Sequence, residues 1–308
     1  MATLLKEPLQ ALSHALGQII YGKQAVTEHA LCGLLAGGHL LLEDLPGMGK
    51  TTLAQGLAKV FGLDYQRVQF TSDLLPADVT GSTIYQQTTG EFTFHKGPVF
   101  TQVLLADEIN RASPKTQSAL LEAMGERQVT ADGHTYDLPS PFFVIATQNP
   151  QHQSGTFPLP ESQLDRFMMR LSLGYPTEKA ERLLLKQGGT QSLVKATKAI
   201  ISFEQLQRLQ TAVKNIEVSD NVIDYLHRLL TQSRHDQSFD NGLSPRAGLA
   251  WLHCAKAWAL LQQRDYLTPD DLQAVMLPVI GHRLLPMDSI DSAALKIETF
   301  MKTVPVVR

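Results

Sequence analysis

Residues 46–52 read Pro46-Gly47-Met48-Gly49-Lys50-Thr51-Thr52, small residues followed by a cation and two hydroxyls. A buried-strand pattern, His39-Leu40-Leu41-Leu42, leads into this run. The segment Thr51 to Phe61 follows it, with Leu53, Leu57, Val60 and Phe61 at helical spacing. A loop that opens a helix presents unpaired backbone N–H groups, and the helix dipole favours negative charge there. Gly47 and Gly49 let the backbone wrap phosphates without obstruction. Lys50 supplies a cation for β- and γ-phosphates, and the Thr51 hydroxyl can ligate Mg²⁺. One position departs from the pattern G-x-x-x-x-G-K-[ST]: Asp44 stands where glycine is expected. Its carboxylate must point away from the phosphates, which it would otherwise repel.

A second constellation lies roughly fifty residues on. Val103-Leu104-Leu105-Ala106-Asp107-Glu108 sets two carboxylates at the end of an apolar strand, where ligands sit in open α/β sheets. Asp107 would hold Mg²⁺ through water, and Glu108 would orient and deprotonate the water attacking a γ-phosphate. A further run, Phe142-Phe143-Val144-Ile145-Ala146-Thr147-Gln148-Asn149-Pro150, ends in polar residues. Asn149 can reach the γ-phosphate or the attacking water; read alone, Asn-Pro is a turn initiator.

These groups need a scaffold that carries strand ends to one place. Apolar runs at Gln102 to Ala106 and Phe142 to Ala146, alternating with helical segments, suit a mostly parallel sheet covered on both faces. Two hairpins interrupt that alternation. In one, Thr83-Ile84-Tyr85 and Phe92-Thr93-Phe94 flank Thr88-Thr89-Gly90-Glu91. In the other, Arg127-Gln128-Val129 and Tyr136-Asp137-Leu138 flank Asp132-Gly133. Both read as polar projections, near 83–94 and 127–138. Glycine-rich Gln187 to Ser192 suggests a linker over 187–201, between an α/β domain (1–186) and an all-helical domain (202–308). Ser202, Ser219, Ser244-Pro245 and Thr268-Pro269 open helices in that second domain.

Composition sets bounds on function. The chain has 308 residues, 43% hydrophobic and 19% charged, with formal net charge −3. No basic excess draws it to nucleic acid. Cys32 and Cys254 lie in apolar helical stretches and read as packed, reduced thiols. Neither they nor the ten histidines show metal-ligand spacing. No secretory signal pattern or bilayer-length apolar run is present, so the expected location is cytoplasmic, without membrane insertion.

The order of motifs resembles the AAA+ ATPases of the MoxR family. Beyond the loop and the strand ends, the resemblance rests on Ile19 to Ala25 and Asp107-Glu108-Ile109-Asn110-Arg111-Ala112. Leu159 to Phe167, with Leu164-Asp165-Arg166-Phe167, and Leu243 to Ala247 complete it. It implies an AAA+ P-loop core with two β-hairpin inserts and a helical lid, using ATP and Mg²⁺. Gly22 is then similar to the segment beside the adenine, Asn149 to sensor 1, and Arg246 to sensor 2, lying over the nucleotide. Arg166 resembles the arginine finger that reaches a neighbouring subunit's γ-phosphate, with Arg170 as the second choice. An arginine paired on the surface with Asp165 or Glu161 is the plainer reading of Arg166. Arg111 has no assigned role. The family's hairpins face the channel of a ring, usually a hexamer. Its members act on protein clients and are commonly paired with von Willebrand factor A domain proteins. Two other functions compete, a nucleic-acid motor related to MCM helicases and a nucleotide-gated scaffold with little turnover. The acidic charge balance argues against the first, and Glu108, Asn149 and Arg166 against the second.

Overall fold

The computed structural model describes residues 2–88, 90–149, 155–285 and 293–306, so Thr89 and Pro150 lie outside the described residues. Helices α1 (Ala2–Ile19) and α2 (Gln24–Leu35) precede strand β1 (His39–Glu43), which the phosphate-loop segment joins to α3 (Lys50–Val60). Next come β2 (Tyr65–Gln69), α4 (Pro76–Thr80), β3 (Gly81–Gln86), β4 (Glu91–Lys96) and β5 (Val103–Asp107). A 3-10 turn at Ile109–Arg111 leads to α5 (Pro114–Glu126), β6 (Gln128–Ala131), β7 (His134–Asp137) and β8 (Phe143–Gln148). Short α6 (Glu161–Leu164), β9 (Phe167–Leu171) and α7 (Glu178–Gln187) follow.

The central sheet has five strands in the order β2-β5-β8-β1-β9, with every neighbouring pair parallel. Side chains alternate across it with period two. Leu40, Leu42, Leu105 and Ile145 face one cluster with α1, α2 and α3, while Leu41, Leu104, Ala106 and Val144 face another with Leu120, Leu121 and Met124 of α5. Burial on both faces explains why the three central strands read as unbroken apolar runs. The edge strands β2 and β9 carry no such signal. β2 is Tyr-Gln-Arg-Val-Gln and mostly solvent-facing, while β9 alternates buried Phe167, Met169 and Leu171 with half-buried Met168 and Arg170.

Both hairpins form. The Asp132-Gly133 turn takes positive φ at both residues (49° and 78°), as its sequence requires. The pair β3–β4 is less polar than its sequence reading, since Ile84, Tyr85 and Phe92 are exposed on it. Phe94 of β4 stacks on Tyr136 of β7 with centroids 4.1 Å apart and planes at 12°.

Within 187–201, α8 (Gln191–Ala196) forms a helix whose Val194 joins the core. Beyond it lie α9 (Phe203–Lys214), α10 (Asp220–His235), α11 (Pro245–Leu261), α12 (Pro269–Ala274), α13 (Met276–Ile280) and α14 (Ala293–Thr303). Ser202 with Gln205 and Thr268 with Asp271 form capping boxes, and Ser244 accepts from Ala247 N. This helical unit shares the core of the α/β unit. The free Cys32 thiol of α2 donates to Cys254 O of α11, and His29 stacks on Trp258. No described helix is long and apolar enough to cross a membrane.

His39 opens β1 and joins three elements. Its Nδ1 accepts from Val144 N at 2.9 Å and its Nε2 faces Met124 O at 3.3 Å. Burial pushes its pKa from 6.5 down to about 4, with the Met124 bond opposing and Arg127 adding to the fall. The unfolded chain therefore holds this proton more tightly. Stability is complete above about pH 6.5 and falls as pH drops towards 4, by at most about 3 kcal/mol. Urea midpoints at pH 7 and pH 5 should converge in His39→Gln, which retains a donor and an acceptor but cannot titrate. An unchanged acid loss in that variant would contradict the assignment.

Candidate functional site

Parallel register brings the polar strand ends to one edge. Leu42 pairs with Thr147, Glu43 with Gln148, Ala106 with Ala146, and Gln69 with Asp107. The loop after β1 therefore opens beside the acid pair and Asn149.

Gly47 and Gly49 adopt φ of 84° and 94°, and no atom lies within 4 Å of where a side chain would begin at either. Their backbone faces open space, the cradle a phosphate chain requires. A cavity of about 800 Å³ adjoins them, lined by Gly47, Met48, Gly49 and Thr52 at one end. Ile19, Tyr21, Tyr175, Pro176, Leu184 and Leu185 form an apolar wall at the other. Tyr175 and Leu185 are 71% and 79% exposed there, apolar surface that a flat base would cover. Pro46 lies exposed at the start of the loop. Gly22 does not line the wall. With φ of 70° it turns against Ala180 of α7 and Thr177, which caps that helix, while its neighbours Tyr21 and Lys23 face the cavity.

Lys50 is 7% exposed. Its ammonium donates to Asp44 O at 2.6 Å, Gln148 O at 3.4 Å and Asn149 Oδ1 at 3.1 Å. Burial lowers its pKa, and the surrounding Asp44, Asp107, Glu108 and Glu43 oppose that fall. The Asp44 carboxylate points away from the loop, as the sequence demanded. It accepts from Ser172 Oγ at 2.8 Å, from Leu173 N at 2.5 Å and from Gly174 N at 3.0 Å, so it laces the end of β1 to the chain leaving β9.

Every oxygen of the acid pair accepts at least one hydrogen bond. Asp107 Oδ1 accepts from Thr147 Oγ1 at 2.6 Å, and Oδ2 accepts from Arg67 Nε at 3.0 Å and Nη2 at 2.7 Å. Glu108 sits in the left-handed region at φ 57°. Its carboxylate accepts from Gln69 Nε2 at 2.9 Å, Arg111 Nη1 at 3.1 Å and Asn149 Nδ2 at 3.1 Å. Arg67, Gln69 and the Thr147 hydroxyl carry no motif signal; only the pairing of β2 with β5 reveals the first two. Thr51, in the first turn of α3, and Asp107 offer the hard oxygen donors Mg²⁺ prefers.

The arginines divide. Arg166 and Arg246 line a second cleft of about 200 Å³ together with Arg127 and Arg283. Arg246 therefore stands on a different surface from the cavity beside the loop, whereas its sequence left open whether it serves the chain's own nucleotide or a neighbour's. Arg166 pairs with neither Asp165 nor Glu161. Its Nη1 donates to Leu121 O of α5 at 2.7 Å, while Asp165 binds Arg283 at 2.7 Å. Arg170 is tied to Glu43 at 3.1 Å and to Gly281 O at 2.8 Å, a brace between β9, β1 and the helical unit.

Comparison with known proteins agrees with this arrangement. The model of the ATPase family associated with various cellular activities (AAA) matches residues 39–169, and an AAA lid domain model matches 231–299. The chain is 42% identical to the Mycobacterium tuberculosis protein named chaperone MoxR1 over 277 residues, covering 87% of this chain and 73% of that one. It is a MoxR-family AAA+ ATPase. A protein named MoxR from Paracoccus denitrificans is 30% identical over 294 residues, covering 88% and 86% of the two chains. A crystal structure of a candidate ATPase from Cytophaga hutchinsonii superposes with a TM-score of 0.89 at 35% identity, over 100% of this chain and 97% of that one.

Asp44 yields a prediction for this MoxR-family chain. Asp44→Gly restores the usual glycine pattern but strips partners from Ser172, Leu173 and Gly174. The variant should lose about 2 kcal/mol of stability in urea unfolding, with no gain in nucleotide affinity. Tighter nucleotide binding by that variant would show that Asp44 hinders the loop.

Proposed function

We propose that this chain hydrolyses ATP with Mg²⁺ in a ring whose active sites lie between subunits. One observation supports this above the others. Phe167 pairs with His39 at the opposite end of β1 from the phosphate loop. At about 3.3 Å per residue, the strand alone separates Arg166 from the loop end by roughly 13 Å. That separation supports a role for Arg166 at a neighbour's nucleotide, and Arg246, which lines the same cleft, is assigned with it. Closed rings arise when such head-to-tail contacts repeat.

Each residue has a task in this reading. Gly47, Met48 and Gly49 cradle the phosphates, Lys50 neutralises the β- and γ-phosphates, and Thr51 with Asp107 would hold Mg²⁺. The metal, when bound, supplies charge stabilisation across the phosphates. Glu108 orients and deprotonates the attacking water, and Asn149 fixes that water or the γ-phosphate. The neighbour's Arg166 and Arg246 stabilise charge on the transferred group, a role suited to permanently charged planar donors. A hexamer in the cytoplasm, with hairpins towards a channel and a protein client, completes the proposal. The exposed Ile84, Tyr85 and Phe92 favour an apolar polypeptide over a phosphate backbone. A von Willebrand factor A domain protein is the proposed partner, by family resemblance alone.

The shared site has a direct test. Lys50→Ala should lose nucleotide binding, whereas Arg166→Ala should bind normally and turn over about a hundredfold more slowly. Mixing the two inactive variants should restore part of the activity, because one supplies the finger and the other the loop. Specific turnover should also rise with wild-type concentration. No restoration on mixing, together with a concentration-independent rate from a monomer, would overturn the shared site.

A further inference from the structure

Arg67 stands outside every motif, yet it occupies the carboxylate expected to face the metal. It lies on β2, the outermost strand of the sheet. Both donors sit on one oxygen, Asp107 Oδ2, at 3.0 and 2.7 Å. A carboxylate oxygen has two in-plane lone pairs, so this one is saturated. The other oxygen already accepts from Thr147. A water carried by Mg²⁺ therefore cannot donate to Oδ2 while the guanidinium remains, and the guanidinium cancels the charge that would draw the metal in.

We propose that Arg67 is a resident counter-ion of Asp107 that Mg²⁺ must displace to use Oδ2, and that it thereby sets how much Mg²⁺ the site requires. The exposures fit an exchange. The Arg67 side chain is 48% exposed and that of Asp107 only 11%, so the cation can withdraw into water while the carboxylate stays in place. Among the described residues no strand flanks β2 on its outer side to trap the withdrawn group. The ion pair is not needed to seat β2 either. Backbone pairing from Tyr65↔Val103 to Gln69↔Asp107 already fixes the register. Arg67 Nη2 also donates to Gln69 Oε1 at 2.9 Å, and Gln69 in turn donates to Glu108. The departing guanidinium thus frees one end of the side chain that holds the proposed base. Arg67 acts through Asp107, as a positioning residue. The proposal rests on the reading that the loop binds a Mg²⁺-nucleotide.

The test is equilibrium binding of a fluorescent ATP analogue to the full chain, titrated with Mg²⁺ and without measuring turnover. Removing a competing half-exposed ion pair should lower the Mg²⁺ midpoint of Arg67→Gln on the order of fivefold, about 1 kcal/mol. Arg67→Lys keeps the charge and should stay within about twofold of wild type. Urea midpoints check that both variants fold. A midpoint for Arg67→Gln that is unchanged or higher would overturn the counter-ion role and leave the nucleotide reading standing. If wild type bound no analogue at any Mg²⁺ concentration, the nucleotide reading itself would fail, and this proposal with it.

Discussion

Parallel pairing of β1, β5 and β8 in one register is the constraint on which the site depends. Each strand contributes little by itself: a loop, two acids, or a threonine and an asparagine. Because the strands run the same way, their ends open at one edge, and Leu42, Ala106 and the Ala146–Thr147 step lie almost level. The same rule governs β9. Its parallel pairing with β1 sends Arg166 to the far edge, so the geometry that assembles the acid pair also sets this arginine apart from it.

The polar groups at that edge are bonded to one another. Lys50 reaches Asn149, Asn149 reaches Glu108, Glu108 is held from the other side by Gln69, and Gln69 accepts from Arg67, which binds Asp107. An unpaired charge in a buried setting is costly, and a linked set of donors and acceptors avoids that cost. The arrangement also means that any phosphate ligand entering this edge would exchange bonds for bonds. Its affinity reflects the difference between two well-satisfied states.

What the sequence disclosed follows from where each residue's constraint resides. Local constraints were legible: Gly47 and Gly49 must free the backbone, Asp132-Gly133 must turn, and Ser202 and Thr268 must cap. Buried central strands were legible because both their faces are apolar. The edge strands were not, since β2 shows solvent a polar face and its five residues carry no clear period. With β2 went Arg67 and Gln69, whose meaning lies wholly in their pairing with β5. Asp44 was legible only as a departure. Its carboxylate answers donors at 172–174, more than a hundred residues away. The place of Arg246 depends on how the helical unit docks, through contacts such as Arg283 with Asp165 that no local pattern encodes.

The stacked rings of Phe94 and Tyr136 have a mechanical consequence. A two-stranded ribbon standing alone in water is a weak spring. Here two such ribbons meet at one joint, and each is rooted differently. The first continues through α4 into the strand that carries Gln69; the second continues directly into α5, the helix after Glu108. A load on the exposed Phe92 is therefore shared between two supports, one leading back to the strand of Gln69 and the other to α5. Bending one ribbon without the other must first break the joint, at about 1 kcal/mol.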